Sequence, residues 1–271
     1  MPFPSRFWAD LTTRDFAGLD AASTVAVLPV AAIEQHGPHL PLSVDQGIVD
    51  GVIARALPLL PADAPVLVLP TQAVGYSPEH TAFAGTLTLP IETLVQVWTA
   101  LGACVARAGV KKLLLFNAHG GQTSVMDIVA RELRTRSGLV VYSCSWWNLP
   151  LAEANAQFSK HEHRFGVHAG EVETSMLLAL RPELVRMGEA ADFPSSSEQR
   201  AANYPILGNG SSARLGWAMQ DVNPQGAAGN AAAATAAKGQ LVLEAAGRQL
   251  ALLLQELSAL PLSTLVPGPC A

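Results

Sequence analysis

Short apolar runs alternate along the chain with stretches whose apolar residues recur at helical spacing, and this alternation constrains the fold more than any other feature. The strand-like runs cover 24–32, 65–70, 111–117 and 138–145, and the helical stretches cover 46–58, 91–108, 122–136 and 169–180. Runs that are apolar on both faces predict parallel strands buried between two layers of helices. We therefore expect an α/β fold of three α/β/α layers with a mostly parallel sheet.

Nothing in the 271 residues marks a linker, so we expect a single domain over 1–271. Between 182 and 230 the periodicity fades. This stretch is predicted to be an irregular excursion that covers a site or packs on a neighbouring subunit. The run from 231 to 257 is rich in Ala, Leu, Glu, Gln and Lys and predicts a long C-terminal helix.

Composition removes several classes of function. Hydrophobic residues make up 49% of the chain and charged residues 14%, which indicates a large core and a surface partly buried in a homo-oligomer. The net charge is −5 and the basic residues are scattered, which argues against nucleic acid as a partner. No apolar run reaches transmembrane length and the N-terminus does not resemble a signal peptide. We therefore expect a cytoplasmic protein with no membrane partner.

The densest group of polar residues follows the first predicted strand. Residues two apart on an extended chain share a face, so Glu34 and His36 are expected to point into one crevice. Asp45 lies at the start of the next helix, where a carboxylate is favoured. Two carboxylates and an imidazole form a ligand set suited to zinc, manganese or iron. The motif therefore predicts a metal site, rather than a simple helix cap beside a hydrogen-bonded loop histidine.

A second polar cluster follows the strand predicted at 111–117. His119 lies at the carboxyl end of that strand, on the sheet edge that also carries Glu34. Gly120 and Gly121 follow it and would let the backbone approach a metal-bound ligand closely. A nucleotide site is the weaker alternative, because the turn lacks the dinucleotide fingerprint and the lysine of a phosphate-binding loop.

A third cluster combines His168 with Glu171 and Glu173 at the start of a predicted helix. Acids in a first helical turn also complement the helix dipole, which is the simpler explanation for the pair. Residues two apart on a helix do not share a face, so at most one acid should reach a metal. Glu173 lies on the same face as the apolar residues of the helix, so we predict that Glu173 is the acid that reaches the metal. In the loop 75–86, His80 touches substrate, orients a ligand or is solvated; the sequence does not decide.

Three segments, 34–41 with Asp45, 117–121 and 168–175, resemble the motifs of the creatininase, or creatinine amidohydrolase, family and follow one another in the family's order. The resemblance implies a three-layer α/β/α fold and a site for two divalent ions, zinc or manganese. It also implies a homo-oligomer, often a hexamer built as a trimer of dimers. Carried over by residue, Glu34 and His119 would hold one ion, His36 the other, and Asp45 would bridge them.

The chain departs from creatininase itself at two places. Gly120 and Gly121 replace a tyrosine and a ligand glutamate, and we infer that Glu173 takes over as the ligand. One tryptophan of the creatinine pocket aligns with Trp147, whereas the other aligns with Arg164. These losses predict a substrate other than creatinine, and an arginine would favour a carboxylate or another acceptor-rich group.

The resemblance implies hydrolysis of a small non-peptide or cyclic amide by a metal-bound hydroxide. His168 is predicted to protonate the leaving nitrogen, with Glu171 orienting it or shuttling the proton. The predicted substrate-binding residues are Trp147, Arg164, His80 and Gly120. One alternative is processing of a short peptide tail, as in relatives that mature mycofactocin. Another is a non-catalytic, metal-stabilised binding or assembly subunit, which the missing glutamate favours.

Overall fold

A central sheet of four parallel strands organises the molecule, whose computed structural model describes residues 3–266 and 268. The strands are β1 (Val25–Val30), β2 (Val66–Val68), β3 (Lys112–Asn117) and β4 (Val140–Ser145), in the spatial order β2-β1-β3-β4. Each run predicted as a strand forms one, so the expected fold is confirmed. Residues 1, 2, 267 and 269–271, which the predicted single domain includes, lie outside the described part.

Helices cover both faces of the sheet. In chain order they are α1 (Val44–Ala56), α2 (Ile91–Arg107), α3 (Thr123–Ser137), α4 (Ala152–Asn155), α5 (Lys160–Phe165), α6 (Glu171–Leu180), α7 (Ser196–Asn203), α8 (Met219–Val222) and α9 (Ala236–Ala259). Val25 and Val27 of β1 join the core beneath α1, α6 and α9. Ala26 and Leu28 join the separate core beneath α2 and α3. Alternate strand residues thus fill opposite layers, which explains why the strands are apolar on both faces.

The stretch 182–230 contains only short elements, as its faded periodicity predicts. Besides α7 and α8, it holds β5 (Asp192–Phe193), which pairs antiparallel with β6 (Gly229–Asn230). The long C-terminal helix begins at Ala236 rather than at 231, because Ala231–Ala233 forms a 3-10 turn and the Thr235 side chain caps α9. Among the described residues, no helix combines the length and apolar character that crossing a lipid bilayer requires.

The order of the strands locates the ligand-binding edge. The chain passes from β1 outward to β2 and then returns to β3 on the other side of β1. Parallel sheets bind ligands beyond the carboxyl ends of their strands, at the point where the strand order reverses. That point lies between β1 and β3, whose carboxyl ends lead to Glu34 and His119.

Candidate metal centre and adjoining cavity

Three buried side chains meet at the carboxyl edge between β1 and β3. Glu34 follows β1, Asp45 lies in the first turn of α1 and His119 follows β3. The His119 Nδ1 atom lies 3.2 Å from Glu34 Oε1 and 3.6 Å from Asp45 Oδ2. These three residues, far apart in the sequence, can therefore hold one ion in common.

A second group of ligand-type atoms shares Asp45 with the first. His36 Nε2 lies 3.5 Å from Asp45 Oδ1. Ligand atoms of His36, Asp45 and Glu173 all lie within 4.8 Å of one another. The first turn of α6 supplies Glu173 to this group. Asp45 thus lies where a bridging ligand would have to lie.

Hydrogen bonds to backbone carbonyls fix the orientations of the two imidazoles. His36 Nδ1–H donates to the Glu34 carbonyl at 3.0 Å, and His119 Nε2–H donates to the Tyr76 carbonyl at 2.9 Å. The other ring nitrogens are left to face the carboxylates, as in metal sites where a backbone carbonyl fixes the histidine tautomer. Among the described residues, Glu34 Oε2, His36 Nε2 and Asp45 Oδ2 are buried without a hydrogen-bond partner. Buried polar atoms rarely lack partners, so the donor set fits divalent metal ions.

The electrostatics of the cluster also favour a bound cation. Burial alone would lower the pKa of His36 and His119. The charges of Asp45 and Glu34, respectively, outweigh burial and raise these pKa values to about 9 and about 10. Burial, with the neighbouring charge of Glu34, raises the pKa of Asp45. The carboxylates therefore repel one another and attract positive charge strongly, which a divalent ion would supply.

Two further histidines lie beside the cluster and line an adjoining cavity. His168 Nε2–H donates to the Gln35 carbonyl at 2.8 Å, which leaves its Nδ1 atom 3.8 Å from Glu34 Oε1. The Gln35 amide donates to His80 Nδ1 at 2.7 Å. Burial lowers the pKa of both histidines, to about 4 for His80. Both rings are therefore neutral at neutral pH, with orientations fixed by one glutamine.

The loop that carries His168 is held in an uncommon conformation. Ala169 has a φ of 53°, in the left-handed region that non-glycine residues seldom adopt. Its N–H donates to Glu173 Oε2 at 2.6 Å. Burial, opposed by the charge of His36, raises the pKa of Glu173 to about 7. Strained backbone at such a point is typical of functional sites.

Glu162 on α5 anchors this loop from within. It is 2% exposed, and its carboxylate accepts hydrogen bonds from the backbone N–H of Glu171 at 2.6 Å and of Asn230 at 2.9 Å. A Cβ atom at any of three surrounding glycines would lie within 2.8 Å of this carboxylate: Gly166, Gly170 and Gly229. The acid thus joins α5, α6 and β6 beneath His168.

Replacing Glu162 should therefore destabilise the protein. Glu162→Gln turns one acceptor oxygen into a donor that faces a buried N–H, at a cost of about 1–3 kcal/mol in the free energy of unfolding. Urea denaturation measures the change. The control is Glu153→Gln on α4, because Glu153 is exposed. A Glu162→Gln variant within about 0.5 kcal/mol of the wild type, the usual range for surface substitutions, would contradict this role.

A cavity of about 1030 Å³ opens beside the cluster. Its wall includes four residues predicted from the sequence to face substrate or carry the proton: His80, Gly120, Trp147 and His168. Arg214 and Trp217, which the sequence analysis missed, also line it. They belong to the irregular stretch 182–230, so part of this stretch does cover the site.

Two predicted site residues lie elsewhere. Arg164 is exposed on α5, with its guanidinium group over the Phe165 ring at 4.9 Å from the ring centroid. The Glu171 carboxylate forms an ion pair with Lys238 on α9. Arg214 therefore provides the basic group at the cavity that Arg164 was expected to provide. Because Glu171 pairs with Lys238, the structure does not support the predicted role of Glu171 in orienting the His168 ring.

Glu79, which no sequence pattern indicated, lies beside His119. Its Oε1 atom lies 3.4 Å from His119 Nε2. A Cβ atom at Gly121 would come within 2.0 Å of Glu79 Oε1 and 2.6 Å of His119 Nε2, whereas one at Gly120 would have no atom within 4 Å. Gly121 thus makes room for both side chains, and Gly120 opens the cavity.

This asymmetry predicts different effects for two identical substitutions. Gly121→Ala should displace the His119 ring and lower metal affinity by about 10–100-fold, the range seen when a ligand loses its support. Gly120→Ala is the control and should bind metal as the wild type does. Metal titration of both variants measures the difference. Equal affinities in the two variants would refute the packing argument.

The parallel sheet and the carboxylate–histidine cluster at its carboxyl edge define an α/β protein with a candidate metal centre. The profile of the creatininase family, described as creatinine amidohydrolase, matches residues 9–254. The chain belongs to the creatininase family, and the resemblance drawn from its motifs is confirmed.

Curated relatives in the comparison are hydrolases with different substrates. Creatinine amidohydrolase from Pseudomonas putida is 30% identical over 217 residues, covering 74% of this chain and 82% of that protein. The mycofactocin precursor peptide peptidase of Mycobacterium tuberculosis is 31% identical over 248 residues, covering 87% and 86%. The 3-dehydro-scyllo-inosose hydrolase of Thermotoga maritima is 26% identical over 235 residues, covering 81% and 73%.

Solved creatininase structures share the fold. The structure named "Creatininase Mn" superposes with a TM-score of 0.71 at 27% identity and covers 93% of this chain and 98% of its own. A mutant creatininase of "Zn-Zn type" gives a TM-score of 0.69 at 26% identity, with the same coverage. Manganese and zinc forms are therefore both found among the structural neighbours.

Proposed function

We propose that this protein is a metal-dependent hydrolase that cleaves an amide C–N bond in a small molecule other than creatinine. The observation that carries the proposal is the buried carboxylate–histidine cluster, with unpartnered ligand atoms, opening onto a cavity of about 1030 Å³. Two of the three relatives above, an amidohydrolase and a peptidase, act on C–N bonds by name.

The proposed ligands fall into two groups that share Asp45. Glu34, Asp45 and His119 would hold one ion, and His36, Asp45 and Glu173 a second. Their oxygen and nitrogen donors suit zinc or manganese, and iron is compatible. Bound divalent ions lower the pKa of a water molecule and polarise a carbonyl, which is the chemistry that amide hydrolysis needs.

His168 is the proposed proton carrier. Amines leave poorly unless the nitrogen gains a proton as the C–N bond breaks. The bond from Nε2–H to the Gln35 carbonyl leaves the Nδ1 atom of His168 free to accept a proton and pass it to the leaving nitrogen. Gln35 also holds His80, so one residue orients both cavity histidines. Glu171, paired with Lys238, takes no part in this step.

The open side of the cavity supports the proposal that creatinine is not the substrate. No atom lies within 4 Å of a Cβ placed on Gly120, so a small flat ring would be poorly enclosed there. The cavity volume of about 1030 Å³ lies just above the range of roughly 300–1,000 Å³ for small-molecule pockets. The same volume favours a second candidate function, cleavage of a short peptide.

The test is a metal and substrate survey of the purified protein. Protein loaded with zinc or manganese is assayed on creatinine, a formamide, a lactam, a hydantoin and short peptides. We expect two ions per chain and turnover of a small amide other than creatinine. Cleavage of peptides alone would support the second candidate. Bound metal with no turnover would refute both and favour a binding or assembly subunit.

Light scattering tests the proposed homo-oligomer, a hexamer by family resemblance.

A further inference from the structure

Arg214 is the one lysine or arginine among the described residues that line the cavity. Apart from histidines, the other ionisable residues of the wall are acidic: Glu34, Asp45, Glu79, Glu162 and Glu173. Within the described residues, the Arg214 side chain has no carboxylate at ion-pair distance and makes no hydrogen bond. A positive charge thus stands unpaired on an otherwise acidic wall.

Trp217, three residues further along, is a fixed part of the same wall. Its ring packs against the small apolar cluster of Met219, Val222 and Ala228. It also meets the His80 ring nearly at right angles, with centroids 6.3 Å apart. The start of α8 secures the segment, because the Ala218 N–H donates to Asp221 Oδ2 at 2.9 Å. The indole is therefore held beside the histidines while Arg214 extends from the same segment.

We propose that the segment 214–217 is a substrate-recognition arm that selects a planar group bearing a carboxylate. The guanidinium group of Arg214 would bind the carboxylate through paired N–H donors, a geometry that arginine provides and lysine does not. Trp217 would pack against the planar group, as tryptophan does with flat apolar surfaces. A substrate anchored there would present its amide towards the metal cluster. The proposal rests on the proposed function and adds the substrate class.

A pair of probes that differ only in charge tests the arm. 4-Aminobenzoate and 4-aminoacetophenone, a neutral ketone of nearly the same shape that has no amide bond to hydrolyse, are titrated calorimetrically into metal-loaded protein. We expect the wild type to prefer the benzoate by at least about tenfold, as charge-assisted hydrogen bonds allow. Arg214→Gln should abolish this preference. Arg164→Gln is the matched control and should retain it, since Arg164 lies outside the cavity.

Several outcomes would overturn the assignment. They are no preference or no binding in the wild type, a preference that survives Arg214→Gln, and a preference that Arg164→Gln removes. A preference that survives Arg214→Gln but vanishes from metal-free protein would assign the carboxylate to the metal instead. Amide turnover is measured separately. Turnover without the preference refutes the arm alone, whereas the preference without turnover refutes the proposed hydrolysis and leaves a binding site.

A second probe pair addresses Trp217. 4-Aminobenzoate is compared with trans-4-aminocyclohexanecarboxylate, which keeps the carboxylate but is not planar. The wild type should prefer the planar acid, and Trp217→Leu should remove most of that preference while keeping the discrimination against 4-aminoacetophenone. If Trp217→Leu leaves the planar preference intact, the indole is not part of the arm.

Discussion

Asp45→Asn is expected to leave the protein folded but without its metal ions or its hydrolytic activity. Asp45 belongs to both candidate ligand groups, with Oδ1 3.5 Å from His36 Nε2 and Oδ2 3.6 Å from His119 Nδ1. An amide offers one neutral acceptor oxygen where the carboxylate offers two charged ones. Metal affinity should fall by more than about 100-fold, beyond the loss typical of an outer-shell partner. Elemental analysis after dialysis and a turnover assay measure the two effects.

A matched control lies on the same helix. The Asp50 carboxylate accepts a hydrogen bond from Thr71 Oγ1 at 2.6 Å and lies outside the cluster, so Asp50→Asn should keep full metal content. In metal-free protein, Asp45→Asn should unfold at the same or a higher temperature, because it removes a buried charge that Glu34 repels. If Asp45→Asn retains two ions per chain, the bridging assignment is wrong.

The fold could be predicted from the sequence because its signals are local. Buried parallel strands are apolar on both faces, and each predicted strand forms at or just inside the range expected, as at Val25–Val30 and Lys112–Asn117. The candidate metal ligands could be predicted from the sequence for the same reason. Glu34 lies in the loop after β1 and His119 in the loop after β3, and the carboxyl ends of parallel strands meet at one edge.

The missed residues depend on contacts between distant segments. Arg214 and Trp217 lie in an irregular stretch with no periodicity from which to orient them. The burial of Glu162 depends on glycines from two segments of the chain. The two glycines that flank His168 in the sequence were the one local indication of close packing there. Helix geometry explains why Arg164 is exposed instead of facing the cavity. Residues two apart on a helix face different sides, so an inward Glu162 directs Arg164 outward.

The same spacing separates Glu171 from Glu173. Glu173 reaches the cluster, and Glu171 therefore points away from it, towards Lys238 on α9. Glu173 was predicted as the ligand on this ground, but the prediction that Glu171 orients His168 ignored the same spacing. Helix geometry alone predicts that Glu171 faces away from the cluster, whereas its partner Lys238 comes from α9, which is distant in the sequence.

His168→Ala is expected to keep both metal ions and to lower kcat by about 10²–10⁴-fold, the range for loss of a positioned acid or base. The residue lies on the cavity wall with Nδ1 facing the cluster, and Gln35 holds its orientation. The control is His163→Ala. His163 also lines the cavity, but its ring bonds to the Asn155 carbonyl at 2.7 Å, away from the cluster. This control should change kcat only slightly.

Dependence on the leaving group separates proton transfer from simple positioning. An amide whose leaving amine is weakly basic, such as a nitroanilide, needs less protonation as its C–N bond breaks. His168→Ala should therefore impair hydrolysis of an anilide more than that of the matching nitroanilide. Equal losses on both substrates would show that His168 only positions other groups. Loss of an ion from His168→Ala would instead make His168 a metal ligand, as its closeness to Glu34 and His36 also allows.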